Sequence, residues 1–306
     1  MPTKVGRKAI FAALSANLGL AATKFVAFLL TGSSAMLAES VHSVADSGNQ
    51  VLLLVGGHRA RREETDRHPF GYARARYYYA FLVAVVLFTV GGMYAMTEAW
   101  HKYSHPEPIV SWRWVPLAVL GVGFLLELLS IRTAIGEADL VRGSLGWVSY
   151  IRRSKSPEIP IILLEDLAAL IGLTFAACGV GLTLATGDGR WDAAGTAAIG
   201  LLLVAVAIVL GIETKSMLMG ESASPDDLKR VREALAQSNL GDVVHLRTMH
   251  LGPDDLLVAA KVALPGTIRL KDAAALVDEA EARIRVDVPA ARLIYLETDV
   301  RKEGAK

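Results

Sequence analysis

Apolar residues are gathered along this chain into six long runs: Ala9–Leu30, Ser33–Gly57, Tyr78–Trp100, Trp114–Ile135, Ile159–Ala185 and Trp191–Ile212. Each holds about the 20 residues that a helix rising ~1.5 Å per residue needs to cross a hydrocarbon layer. The pattern therefore predicts six transmembrane helices. The fifth run is preceded by Ser156-Pro157-Glu158, a capping serine with proline at the first helical position. After the sixth run the sequence turns charged. Ser224-Pro225-Asp226-Asp227 repeats the start signal, with acids suited to the positive end of a helix dipole. A helix to Gln237, a strand Val243–Leu251, a turn at Gly252-Pro253-Asp254-Asp255 and a strand Leu256–Leu264 are predicted from there. A helix Leu270–Arg285 and a strand Arg292–Thr298 follow. An α-β-β-α-β segment this short can form only a small sheet backed by two helices. The expected organisation is a six-helix transmembrane domain over residues 1–220 and a small α+β domain over 221–306.

The basic residues give an orientation. Lys4, Arg7 and Lys8 precede the first run. Arg59, Arg61, Arg62, Arg67, Arg74 and Arg76 lie between the second and third, and Arg142, Arg152, Arg153 and Lys155 between the fourth and fifth. The alternate connections are poor in positive charge, which predicts that both termini are cytoplasmic. At 53% hydrophobic residues and a mean hydropathy of +0.39, the chain is more apolar than soluble proteins, where roughly 45–50% is usual. The net charge of +1 supplies no basic field for nucleic acid, so the lipid bilayer is the expected partner. The single cysteine, Cys178, excludes an intramolecular disulfide and a multi-cysteine zinc cluster, and its apolar surroundings in sequence predict a packing role. The run from Ala9 has no small-residue cleavage site and reads as a retained helix. The short leader before it points to a bacterial cytoplasmic membrane.

Polar residues inside these runs carry the chemistry. In the second run Glu39, His42, Asp46 and Asn49 follow at spacings of three, four and three, which puts them within a sector of roughly 80° on one helix face. Each ionisable group at mid-membrane costs ~2.5–3.5 kcal/mol on insertion scales, so packing does not explain them. A histidine and a carboxylate on adjacent turns form half of a metal site; the alternative is a buried hydrogen-bond network without metal. The fifth run adds Glu165 and Asp166, which point about 100° apart on a helix. Only one can face the second run squarely; Asp166 is the first choice, with Glu165 as helper or proton carrier. Glu127 in the fourth run is either a transport residue or a satisfied buried carboxyl. Lys24 in the first either snorkels outward or balances a carboxylate.

These residues resemble the cation diffusion facilitator family of proton-coupled divalent metal exporters, over nearly the whole chain. The resemblance is carried by Thr31-Gly32-Ser33-Ser34, His42-Ser43-Val44-Ala45-Asp46 and His68-Pro69-Phe70-Gly71-Tyr72, with the six-helix order and the αββαβ tail, a ferredoxin-like domain. The spacing Ala38-Glu39-Ser40-Val41-His42, the segment Leu164-Glu165-Asp166 and the long fourth-to-fifth connection are most similar to the branch containing the animal mitochondrial zinc transporter. The resemblance implies a site of two pairs, each four residues apart, on the second and fifth runs. His42 and Asp46 match the first pair and Asp166 the end of the second. The remaining position is Ile162, which cannot bind metal, so Glu165, Asn49, Glu39 or water would complete the shell. It also implies a charge interlock of Arg74 with Glu221 and a homodimer joined through the tail domains. Tyr72 stands where many relatives carry a second loop histidine. The tail keeps His245, with His250, Glu297 and Asp299 nearby, but has Ala260 and Leu296 at other ligand positions, so no strong tail zinc site is expected. His101 and His105 could sample metal, although Pro106 opposes the helix that would align them.

The implied function is a secondary active transporter, not an enzyme: an antiporter exporting a divalent cation from the cytoplasm by alternating access. Zn2+ is the default by resemblance, and a His-carboxylate shell also admits Mn2+, Co2+ and Fe2+. Protons are the counter-ion because metal binding needs neutral histidine and ionised carboxylates. A non-transporting membrane metal sensor or scaffold stays open as the alternative, on the strength of Ile162.

Overall fold

The structure, a computed structural model, describes residues 7–31, 34–106 and 114–300; side chains at 28, 30, 31, 34–39, 41, 42, 45 and 116 stand outside that description. The chain divides into two compact units, Met1–Ala60 with Ala75–Lys215, and Arg61–Arg74 with Ser216–Lys306.

The first unit is helical. It contains α1 (Arg7–Thr31), α2 (Ser34–Arg59), α3 (Ala75–Val86), a π-helical segment Leu87–Met93, α4 (Tyr94–Ser104) and α5 (Trp114–Arg142). The short α6 (Trp147–Arg153), α7 (Glu158–Thr186) and α8 (Arg190–Met219) complete it. Among the described residues, five helical stretches are long and apolar enough to cross a membrane: Arg7–Ala27, Ala75–Ser104, Leu117–Arg142, Glu158–Thr186 and Arg190–Met219. The second predicted span, α2, is a helix of 26 residues but is not among those five. Large apolar side chains such as Leu125, Leu129, Leu140, Leu201 and Ile212 face outward; lipid, not water, suits such a surface.

α1 packs along α2, α5 and α7, with α5 also against α7 and α2 against α3. The tightest core lies at one end of the bundle, where Leu53, Val83, Ala134, Ala138, Tyr150 and Ile159 meet. Ile162 is fully buried in that cluster. α7 and α8 approach closely at Gly179 and Gly195: a Cβ on Gly179 would lie 2.9 Å from the Trp191 carbonyl oxygen. At the packed end Arg76, opening α3, grips Glu158, opening α7, with Nη2–Oε2 at 2.9 Å and Nε donating to the other oxygen. Two expectations, the cap of α7 and the place of Cys178, are corrected here, and one short helix is added. Helix α7 begins at Glu158 with Pro157, not Ser156, at its cap, the Pro157 carbonyl accepting the first helical bond, from the Ile161 amide at 3.0 Å. The connection before it holds α6, whose first residue, Trp147, lies under the Arg142 guanidinium at 4.3 Å. Cys178 is exposed on the outer surface of α7 rather than packed inside.

The second unit carries α9 (Pro225–Gln237), β1 (Asp242–Gly252), β2 (Asp255–Leu264), α10 (Leu270–Asp287) and β3 (Ala291–Val300), the predicted order. Ser224 caps α9, its Oγ accepting from the Asp227 amide at 3.1 Å. The strands lie in the order β1-β2-β3, the first pair antiparallel and the second parallel. Along β2 alternate residues, Leu256, Val258, Ala260, Val262 and Leu264, are buried, the period-2 signature of one covered sheet face. They pack with Val231, Leu235 and Ile284 from the helices. Residues 61–74 group with this unit, which the sequence did not predict. Ala73 packs against Gly252 so closely that no side chain fits there.

Candidate metal site

The polar residues of α2, α5 and α7 meet inside the helical unit. Asn49 Nδ2 donates to Glu165 Oε1 and Gln50 Nε2 to Glu165 Oε2, each at 3.0 Å. Ser130 Oγ on α5 donates to Asp166 Oδ2 at 2.6 Å. Asn49, Gln50, Ser130, Glu127 and Asp166 are all buried. Glu127 is within electrostatic reach of Asp166, Asp46 and Lys24, and Glu165 within reach of Asp46. Lys24 turns inward from α1 and donates to Ser43 Oγ on α2 at 3.0 Å. It therefore does not snorkel.

The expected division of labour on α7 is reversed. Glu165, not Asp166, faces α2, while Asp166 turns to Ser130 on α5. The two carboxyls are adjacent and diverge by about 100°, so that one reaches the amides of α2 while the other reaches Ser130 on α5. Ile162 belongs to the packing and offers no ligand. The side chains of Glu39 and His42 lie outside the described residues. Among the described residues no group of three His, Cys, Asp or Glu side chains is placed to hold a metal ion; Asp46, Glu165 and Asp166 are neighbours around a polar interior. Sequence reasoning missed Gln50 and Ser130. Gln50 stands four residues after Asp46, and Ser130 three after Glu127, so the same helical spacing that found the stripe would have found both.

Outside the helical unit, Arg74 Nη2 approaches Met249 Sδ at 3.4 Å, and the Glu221 carbonyl accepts from the adjacent His250 amide at 2.8 Å. The two predicted interlock residues thus come to the same end of β1, where the described contact of the guanidinium is the Met249 sulfur. Tyr72 packs against His68 with ring centroids 4.5 Å apart and the planes tilted by 57°. On the sheet, Lys261 Nζ reaches Glu297 at 2.9 Å and Asp299 at 3.1 Å. Those hydrogen bonds hold the Lys261 ammonium above the usual lysine range. His245 is exposed beside Lys261 in the strand register. His101 and His105 have ring centroids 5.3 Å apart, His105 lying just past the end of α4.

Comparison with known families matches residues 10–219 to the cation efflux transmembrane domain and residues 223–297 to the cation efflux protein cytoplasmic domain. The chain is 30% identical over 249 residues to the Xenopus laevis "Proton-coupled zinc antiporter SLC30A9, mitochondrial", covering 80% of this chain and 44% of that protein. It is 29% identical over 248 residues to the human protein of the same name, with 80% and 44% covered. It is 29% identical over 265 residues to "Metal tolerance protein C4" of Arabidopsis thaliana, with 85% and 57% covered. The chain thus spans about half the length of these relatives. The expectation of a bacterial cytoplasmic membrane with cytoplasmic termini is overturned by this finding: the animal relatives are named as mitochondrial proteins, and the start of the sequence is no guide to the membrane.

Proposed function

The chain belongs to the cation diffusion facilitator family, and on that premise we propose that it is a secondary active transporter exchanging a divalent metal cation, zinc first, for protons. The metal is carried out of the compartment that the C-terminal domain faces, by alternating access. His42, Asp46, Glu165 and Asp166 form its binding set, with Glu39, Asn49 and Glu127 as the surrounding polar shell. The observation that best supports this reading is the carboxylate of Glu165 on α7 held against α2, beside Asp46, within otherwise apolar helices. Burying these carboxyls without a cation or proton to neutralise them is costly, and exchanging one for the other is what an antiporter does. Metal binding displaces protons from the same oxygens, so opposite flows share one site. Mn2+, Co2+ and Fe2+ fit the same donor types. Residues 1–220 are the transport domain, and residues 221–306 a domain for regulation and homodimer formation. Arg74 and Glu221 meet at its edge as an interlock.

A second reading is favoured by one observation: Ile162, at the position of a missing ligand, is locked in the core. A sensor or scaffold would bind metal at the incomplete site without moving it. Uptake of Zn2+, Mn2+, Co2+ and Fe2+ into proteoliposomes, with and without an imposed pH gradient, separates the two. Transport predicts gradient-dependent uptake that is lost in Asp46→Ala. Metal binding without uptake in the unmodified protein would select the sensor.

A further inference from the structure

Resting on the transport reading above, we infer that Asn49 and Gln50 form an amide clamp that positions Glu165 for the cation, so that Glu165 takes the place of the ligand absent at Ile162. The two amides are adjacent in sequence and project about 100° apart from α2. Both nevertheless donate to one carboxylate, one to each oxygen, at 3.0 Å. A carboxylate gripped on both oxygens is fixed in rotation as well as position. Asp46 stands three residues before Asn49 and four before Gln50, so one helical turn gathers all three onto one patch of α2. Glu165 is drawn from α7 to that patch, within electrostatic reach of Asp46.

A second observation marks this as a binding arrangement and not a plain tie between helices. Asn49 and Gln50 are 2% and 1% exposed, and their carbonyl oxygens are buried with no hydrogen-bond partner among the described residues. An orphaned buried carbonyl costs stability, and folded proteins rarely leave two side by side. With the amide nitrogens turned to Glu165, the oxygens are left as uncharged oxygen ligands on the same two side chains. Oxygen donors of that kind suit a divalent cation. Ile162 can then serve the core, because the ligand it lacks is supplied one turn further along α7.

The test uses the full chain in proteoliposomes, reading KM and kcat for Zn2+ uptake in Gln50→Leu, Glu165→Gln and the swapped double variant Gln50→Glu/Glu165→Gln. The clamp predicts that Gln50→Leu raises KM about tenfold or more while kcat falls less than about threefold, the pattern of a lost binding orientation. The swap sets a carboxylate and an amide face to face again in exchanged places, and should recover at least about tenfold in kcat/KM over Glu165→Gln alone. A merely structural contact would lower the melting temperature of Gln50→Leu and leave KM unchanged. Wild-type KM in Gln50→Leu, with uptake lost in Glu165→Gln, overturns the clamp and leaves the transport reading standing. Wild-type uptake in Glu165→Gln overturns the clamp together with the site assignment. Should Gln50→Leu not fold, the swap decides alone: no recovery over Glu165→Gln refutes the clamp.

Discussion

Removing the carboxylate of Glu158 should loosen the packed end of the helical unit. Glu158 opens α7 and accepts both arms of Arg76, which opens α3. Their side chains are 9% and 16% exposed, so water screens the pair little. Breaking such a buried pair from one side costs about 3–5 kcal/mol. The residual exposure of Arg76 places Glu158→Ala near the lower limit, about 3 kcal/mol. Removing both partners counts the lost pairing only once, so Arg76→Ala/Glu158→Ala should be less damaged than the summed single variants by about 2 kcal/mol. Glu158 stands two turns before Glu165 on the same helix, so zinc uptake should weaken along with stability. The assay is reversible unfolding in mixed micelles, followed by the fluorescence of the five tryptophans. Additive single variants, or a Glu158→Ala loss below about 0.5 kcal/mol, would refute the reasoning, because an uncoupled exposed pair behaves that way.

Three further outcomes are expected. Gly179→Ala places a methyl 2.9 Å from a backbone carbonyl that cannot swing aside, whereas Gly181 on the same helix has nothing within 4 Å. The first should cost about 1–3 kcal/mol by overpacking and Gly181→Ala should cost nothing; equal melting temperatures for the two would contradict the close α7–α8 approach. Ser224→Ala removes the cap of α9 and should cost about 1 kcal/mol, read as faster hydrogen exchange in the first turn of that helix. The raised Lys261 value has a definite sign. The group is held protonated by Glu297 and Asp299, so its contribution is fully present below the ordinary lysine value of ~10.4 and lost as pH rises through the raised one. Strand protection between β2 and β3 should therefore fall only at strongly alkaline pH, and Lys261→Met should abolish that step; a loss already at pH ~8, below the ordinary lysine value, would refute the assignment.

The tail was legible in sequence almost residue by residue. Ser224-Pro225 marks a helix start and Gly252-Pro253-Asp254-Asp255 a turn, and predicted and observed edges agree within two residues. The apolar helices were legible because length and hydropathy suffice to identify them. Rotation about a helix axis was not. Whether Glu165 or Asp166 faces α2 depends on how α7 packs with α5 and α1, and that is a matter of packing between distant segments. Gln50 escaped notice although it stands four residues after Asp46, on the spacing of the stripe itself. α6 is too short for periodicity to reveal it. The docking of residues 61–74 on the C-terminal sheet depends on contacts across some 180 residues, such as Ala73 with Gly252.

The central claim is that metal and protons move in opposite directions through one site. Proteoliposomes holding both a zinc indicator and a pH indicator read the two flows at once after addition of Zn2+. The account predicts zinc entry accompanied by proton exit, both abolished together in Asp46→Ala. Zinc entry with no change in internal pH, or coupled flow surviving in Asp46→Ala, would contradict it.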